Sequence, residues 1–195
     1  VKSDGTLVAA GSNKSEYGLT GEETGQCQIS NWNNIVSVAA GGCYTVGLKA
    51  DGTVIARGYN YAGKCNVSGW RNIVAIAAGE HHTVGLKSDG TVVAAGNAPL
   101  ENSYSEQCKV VDWTNIVDIA AGGGHTVGVK SDGTVVATGD NYRNQCDVGG
   151  WVDIGGTMSV ELKISAEEAA QTGLYNEYEV TGFAPFKVKD RKSVV

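Results

Sequence analysis

The sequence has few of the features that mark membrane-spanning or nucleic-acid-binding proteins. Its 195 residues contain only 2 prolines and no run of 18 apolar residues, so no transmembrane helix is predicted. A charged stretch followed by an apolar core, as in a signal peptide, is also missing. Lys and Arg number 15 against 21 Asp and Glu, and they form no basic patch. We therefore expect no membrane insertion and no nucleic-acid partner, whereas an acidic surface suits a protein partner.

Motifs of the common catalytic and metal sites are missing as well. There is no G-x-S-x-G nucleophile elbow, no phosphate-binding loop and no H-E-x-x-H motif. Cysteines and histidines do not form the pairs at two- to four-residue spacing that structural zinc sites use. These observations predict a protein that is not an enzyme and that uses no cofactor or metal.

What the sequence does have is glycine and a repeat. Glycine accounts for 28 residues, about twice the usual share. Tryptophans stand at positions 32, 70, 113 and 151, and an Asp-Gly pair follows each of the first three after 19 residues. A period of roughly 40 residues indicates a repeat architecture.

One copy, from Trp70 to Val110, shows what the repeat encodes. The apolar run 72–78 is rich in β-branched residues and too short for a stable helix, and the segments 83–87 and 91–96 alternate like strands. The Asp89-Gly90 pair between the last two predicts a two-residue hairpin loop with a type I′ turn. We expect residues 107–110 to add a fourth short strand.

Four strands per copy predict a small antiparallel sheet that must stack on its neighbours to bury both faces. Ala-Ala-Gly strings suit sheets that converge on an axis, and no segment of the repeat has helical periodicity. The sequence therefore predicts an all-β fold, a β-propeller. Extra residues at 12–25 and 97–106 lie before the fourth strand and should emerge at equivalent points of different blades.

Several reactive residue types occupy copied positions. Cys27, Cys65, Cys108 and Cys146 each lie five residues before a repeat tryptophan, so we expect free, half-buried thiols rather than disulfides. Such thiols favour a reducing compartment. His82 and His125 share one repeat position, which Tyr44 fills in the first full copy. A position that accepts tyrosine indicates a hydrogen-bonding core group rather than a metal ligand.

The two ends of the chain depart from complete repeats. The first five residues, Val1 to Gly5, match the middle of a repeat, so we expect the chain to be a fragment of a longer protein. Residues 151–163 begin a further unit, after which the pattern stops. We divide the chain into a repeat region, residues 1–164, and a divergent C-terminal segment, residues 165–195. In that segment we expect a short helix at 165–171, a strand at 178–183 and a basic end.

The string G-x-x-H-T-V-x-L-K-S-D-G-T-V-x-A-x-G-x-N-x-x-G-Q-C resembles the RCC1 repeat of regulator-of-chromosome-condensation proteins, in its bacterial style. The resemblance covers roughly residues 1–163 and implies a β-propeller of four-stranded blades, normally seven. This chain holds about four blades' worth, so a ring completed by several copies is one alternative. WD40 repeats fit less well because no tryptophan here precedes aspartate, and kelch repeats because the double glycines stand in the wrong order.

Because copied positions build the scaffold, we expect function where the copies differ, on loops that a rigid scaffold holds. The leading hypothesis is a protein–protein interaction module that uses its variable loops and a rim of tyrosines, which are favoured interface anchors. The candidate binding residues are Tyr17, Leu19, Tyr44, Tyr59, Tyr61, His81, Leu100, Tyr104 and Tyr142.

Other functions stay open at this point. The family resemblance includes secreted propellers that inhibit β-lactamases and nucleotide-exchange factors for a small GTPase. The exchange factors need basic tails and a projecting wedge, which are not evident here. A glycan-binding lectin is a further alternative, since aromatic rims stack on sugars, as is an enzyme with a central pocket. The bacterial style of the repeats suggests a cell-surface or secreted protein, whereas the free cysteines suggest the cytoplasm.

Overall fold

The computed structural model describes residues 1–14, 23–96 and 103–154, with the backbone alone for 103–105. Residues Val1–Ile154 form one compact unit. Its strands are β1 Ile35–Gly41, β2 Tyr44–Lys49, β3 Val54–Gly58, β4 Ile73–Ala78, β5 Thr83–Lys87, β6 Val92–Ala95, β7 Ile116–Ala121, β8 His125–Lys130 and β9 Val135–Gly139. A short 3₁₀ helix, Tyr61–Gly63, follows β3, and another, Ser103–Cys108, follows β6. Among the described residues, no helix has the length and apolarity needed to cross a membrane.

The nine strands form three antiparallel sheets, each with its strands in sequence order: β1-β2-β3, β4-β5-β6 and β7-β8-β9. We call them the first, second and third blades. Each first strand contains a bulge at the residue after its isoleucine, namely Val36, Val74 and Val117, and these valines are exposed. The predicted all-β fold with the blades of a propeller is confirmed, and each described blade has three strands.

The core lies between the blades. Val46, Leu48 and Val54 of the first blade pack with Ile73 of the second, and Val84, Leu86 and Val92 of the second pack with Ile116 of the third. Fully burying one such aliphatic side chain contributes roughly 1.5–3 kcal/mol. Leu7, Ile29 and Trp32 form a third cluster with Ile35, so the N-terminal residues cover the free face of the first blade.

Each repeat tryptophan packs against a glycine of a second strand. Gly47, Gly85 and Gly128 stand in the middle of the second strands, beneath the rings of Trp32, Trp70 and Trp113. A Cβ added at any of the three would lie 2.8 Å from a ring carbon. The strand thus leaves room for the indole, which is why the T-V-G string and the tryptophan repeat together.

The predicted type I′ turn at the Asp-Gly pairs is wrong. Gly90 N donates to Lys87 O at 3.0 Å and Lys87 N to Thr91 O at 2.9 Å, and in this loop only Gly90 has a positive φ, of 78°. Type I′ needs positive φ at both central residues, whereas a three-residue loop needs it only at its last residue. Asp89 instead accepts bonds from the amide and hydroxyl of Thr91, at 2.9 and 2.6 Å. The same bonds recur at Asp4, Asp51 and Asp132.

The predicted fourth strand at residues 107–110 is also wrong. Ser103–Cys108 is a 3₁₀ helix, and the amides of Lys109 and Val110 bond locally to Glu106 O and Cys108 O, both at 2.9 Å. Side chains of the third blade also donate to carbonyls of this segment: Thr138 Oγ1 to Glu106 O, which thus accepts two hydrogen bonds, and Thr126 Oγ1 to Gln107 O. The segment packs against the third blade without joining a ladder, because its backbone groups are satisfied by turns and hydroxyls.

The boundary predicted between residues 164 and 165 and the helix and strand predicted at 165–171 and 178–183 lie outside the described residues. They stay predictions.

Candidate functional site

The blades have two ends of different character. The Asp-Gly loops between second and third strands lie at one end, which we call the hairpin end. The turns between first and second strands lie at the other, where Tyr44 pairs with Gly58 and His125 with Gly139. The chain leaves each third strand there, so the unequal stretches start from this end. We call it the tyrosine end.

Two tyrosines stack on each other where the chain leaves the first blade. The rings of Tyr59 and Tyr61 are nearly parallel, at 8°, with centroids 6.0 Å apart. Tyr61 is 49% exposed, while Tyr59 is half-buried. Asn60 lies between them and fixes the loop, since its Oδ1 accepts the amide of Cys65 at 2.8 Å and its Nδ2 donates to Asn66 Oδ1 at 3.0 Å.

The third blade repeats this loop with other side chains. Asn141 Oδ1 accepts the amide of Cys146, and Asn141 Nδ2 donates to Asp147, both at 2.8 Å. Tyr142 therefore occupies the position of Tyr61 and is 78% exposed. The placement of Tyr59, Tyr61 and Tyr142 in equivalent loops at one end agrees with the single rim that their spacing predicts.

The structure places Tyr44 in the core and not on the rim. Its ring is 1% exposed, and its hydroxyl donates to His82 O of the second blade. Thr83 Oγ1 contacts the same hydroxyl at 3.0 Å. Burial raises the pKa of Tyr44 to about 12. Tyr44 is therefore a tie between blades, and we leave it out of the candidate binding surface.

His82 forms the corresponding tie one blade further on, which confirms that this repeat position is a hydrogen-bonding core group. Its Nε2 lies 2.8 Å from Thr126 Oγ1, which itself donates to Gln107 O at 2.7 Å. Because the threonine proton is used on that carbonyl, His82 must carry a proton on Nε2 and donate it to Thr126 Oγ1. Burial, with smaller repulsion from His125 and His81, lowers the pKa of His82 to about 4.

His81 and Glu80 form the turn of the second blade at the tyrosine end. His81 Nε2 lies 3.7 Å from Glu80 Oε1, and both side chains are 41% exposed. A Cβ on Gly123 would lie 3.6 Å from Glu80 Oε2. The pair thus reaches toward the turn of the third blade and adds a polar patch to this end.

Lys64 is a residue of this end that sequence reasoning missed. It is only 3% exposed, and its ammonium donates to Gly42 O at 2.6 Å and Glu80 O at 2.9 Å. A signal was available, because the residue before the repeat cysteine is Gln26, Gln107 or Gln145 in the other copies. The difference was overlooked because the adjacent cysteine marked the stretch as copied scaffold.

The cysteines behave as predicted for copied positions. All five are free and half-buried, and burial raises the pKa of Cys65 and of Cys108 to about 11. Thiols with such pKa values are poor nucleophiles at neutral pH. In the described ranges no group of three or more His, Cys, Asp and Glu residues could hold a metal.

Tyr17, Leu19 and Leu100 lie outside the described residues, and so does the side chain of Tyr104. Their role in binding stays a prediction.

Part of the repeat region matches a known family of repeats. The Regulator of chromosome condensation (RCC1) repeat family matches residues 73–104 and 116–145, which span the second and third blades. No curated protein sequence matches the chain. The bacterial style suggested by the repeats stays a prediction.

Among solved structures, the chain is similar to the CRINKLY WD40 ectodomain of the receptor kinase ACR4 from Arabidopsis thaliana. The TM-score is 0.51 at 18% identity, over 70% of this chain and 45% of that one. Yeast RCC1 (Prp20) bound to Kap60 gives a TM-score of 0.49 at 19% identity, over 74% of this chain and 46% of that one. Prp20p from Saccharomyces cerevisiae, described with its binding to Gsp1p and histones, gives 0.48 at 18% identity, over 74% and 47%. The chain thus spans less than half the length of each.

Proposed function

Because two blades of this chain match the RCC1 repeat, we propose that it is a non-enzymatic interaction module that binds a protein partner through the tyrosine end of its blades. The observation that carries the proposal is the stacked pair Tyr59–Tyr61, together with Tyr142 exposed in the equivalent loop of the third blade.

The chemistry of these loops supports binding in two ways. Tyrosines combine a large apolar ring with a hydrogen-bonding hydroxyl and are enriched among the residues that dominate interface energies. The loops are also fixed before any partner arrives, since Asn60 and Asn141 each close their turn with two hydrogen bonds. A preorganised loop loses less conformational entropy on binding.

The test compares two surfaces of the same protein. The double variant Y61A/Y142A removes the two exposed rings of the tyrosine end, whereas V74A truncates an exposed valine of β4, a residue 54% exposed, as a matched control. Tagged protein is used to capture partners from a lysate of the source organism, and captured proteins are quantified by mass spectrometry. A partner should be retained by the wild type and V74A and lost by Y61A/Y142A. Equal capture by all three proteins would exclude the tyrosine end as the binding surface.

Glycan binding is the second candidate, favoured by the exposed face of Tyr61 on its stacked neighbour. A ring presented in this way can stack on a sugar. A glycan array probed with the wild type and Y61A separates the two functions, because a lectin would give signals on defined glycans that Y61A loses.

A further inference from the structure

Two departures from the repeat coincide where the first and second blades pack against each other, and we call this interface between neighbouring blades a seam. Lys64 replaces the glutamine of the other copies, and Tyr44 replaces the histidine found at positions 82 and 125. The same copy carries the tyrosine pair at positions 59 and 61. A lysine is seldom buried unless its charge is compensated, so the contacts of Lys64 should explain why these residues occur together.

The ammonium of Lys64 lies between two aromatic rings. Its Nζ is 4.9 Å from the centroid of Tyr44 and 5.5 Å from that of Tyr59. Both distances are within the range of attraction between a cation and a π face. The ammonium also donates to Gly42 O of the first blade and Glu80 O of the second. Burial lowers the pKa of Lys64, and the nearby Cys43, Cys65 and Glu80 oppose this shift.

We propose that Lys64 is the residue that positions the tyrosine pair. Tyr44 and the two carbonyls fix the ammonium, the ammonium fixes the ring of Tyr59, and Tyr61 stacks on Tyr59. Lys64 thereby links the geometry of an exposed surface to a buried seam between blades. The consequence for partner binding rests on the proposed function, whereas the positioning itself is a property of the free protein.

The next seam shows what the same position does without a cation. Gln107 is fully buried, and neither atom of its amide has a hydrogen-bond partner in the described part of the chain. Here Thr126 Oγ1 donates to Gln107 O and lies against Nε2 of His82, the residue that occupies the repeat position of Tyr44. Lys64 and Gln107 are thus equivalent in the repeat and opposite in their polar contacts, which makes them a matched pair for substitution.

The experiment substitutes methionine at each position in the full 195-residue chain. K64M keeps an unbranched apolar side chain and removes the ammonium, and Q107M removes an amide that makes no hydrogen bond. Aromatic NMR signals of the free protein are recorded well below the unfolding temperature, with through-space contacts between the rings of Tyr59 and Tyr61. We expect K64M to shift these signals and weaken the contacts, and Q107M to leave both as in the wild type.

Unchanged Tyr59 and Tyr61 signals in folded K64M would overturn the proposal, as would equal shifts in K64M and Q107M. If K64M does not fold, K64Q carries the same test, because the other copies show that the blade accepts glutamine there. Partner capture is then measured separately. If K64M disturbs the rings but binds the partner like the wild type, the positioning role holds and the geometry of the Tyr59–Tyr61 pair is excluded as a requirement for binding.

Discussion

At the scale of single residues, close contacts within each copy restrict which side chains its repeated positions accept. Gly85 is needed because Trp70 covers it, and Gly47 and Gly128 have the same relation to Trp32 and Trp113. These pairs explain why tryptophan and glycine keep a constant spacing while other positions vary. The interior of a protein is packed too tightly to accept an extra methyl group at such a contact without movement.

G85A should therefore lower the free energy of unfolding by roughly 1–3 kcal/mol, because its Cβ would lie 2.8 Å from the ring of Trp70. Urea denaturation followed by tryptophan fluorescence measures the change. The control is G69A, directly before Trp70, where a Cβ has no neighbour within 4 Å and the change should be within about 0.5 kcal/mol. Equal effects of the two substitutions would contradict this account.

At the scale of elements, each first strand begins after a residue with left-handed backbone. Asn34, Asn72 and Asn115, which precede β1, β4 and β7, have φ between 56° and 59°. This conformation lets the amide of the next residue reach the preceding hairpin: Ile73 N donates to Gly52 O and Ile116 N to Gly90 O, both at 3.0 Å. The N-I-V motif thus connects neighbouring blades at the hairpin end, and asparagine tolerates the backbone that the connection requires.

Substitutions at Asn72 test this requirement. N72A should lower the free energy of unfolding by about 1 kcal/mol, since alanine is strained at a φ of 59°, whereas N72G should cost much less. Thermal unfolding followed by circular dichroism at 218 nm compares the two variants. A loss in N72G equal to or larger than that in N72A would contradict the backbone explanation.

At the scale of the molecule, the blades are held together by buried contacts that differ from seam to seam. Hydrogen bonds of Tyr44 and Lys64 link the first and second blades, and the hydrogen bond between His82 and Thr126 links the second and third. The second tie depends on a neutral imidazole, because the pKa of His82 is lowered from 6.5 to about 4 by burial. The stability of the whole unit should therefore depend on pH below the ordinary pKa of histidine.

The direction of this pH dependence follows from proton binding at His82. The unfolded chain binds a proton at His82 below about pH 6.5, and the folded chain does so only near pH 4. The stability that His82 contributes to the folded state is therefore fully present above pH 6.5 and is lost as the pH falls from 6.5 to 4. The loss should reach roughly 3 kcal/mol. H82Y, which places the tyrosine of the first copy here, should remove most of this dependence. Urea denaturation at pH 7.5, 6, 5 and 4.5 measures it, and an equal decline in wild type and H82Y would contradict the assignment.

The sequence predicted most of the architecture because the repeat is dense in local information. The strand at 83–87 was predicted with its observed bounds, and those at 72–78 and 91–96 to within one or two residues at each end. The turn type and the fourth strand were predicted wrongly for a common reason. Both depend on hydrogen-bond partners, Thr91 for Asp89 and Thr126 for Gln107, that a propensity pattern does not specify.

By itself the sequence determined the repeat, three of the four strands it predicted for each blade and the location of the variable loops, because spacing and alternation follow from chain geometry alone. The tertiary structure decided which of the variable residues reach the surface. Tyr44 and Tyr61 are both tyrosines in the first full copy, yet one is 1% and the other 49% exposed. Only the stacking of blades decides that difference, because burial depends on what the neighbouring blade covers. The same stacking brings Lys64 between Tyr44 and Tyr59.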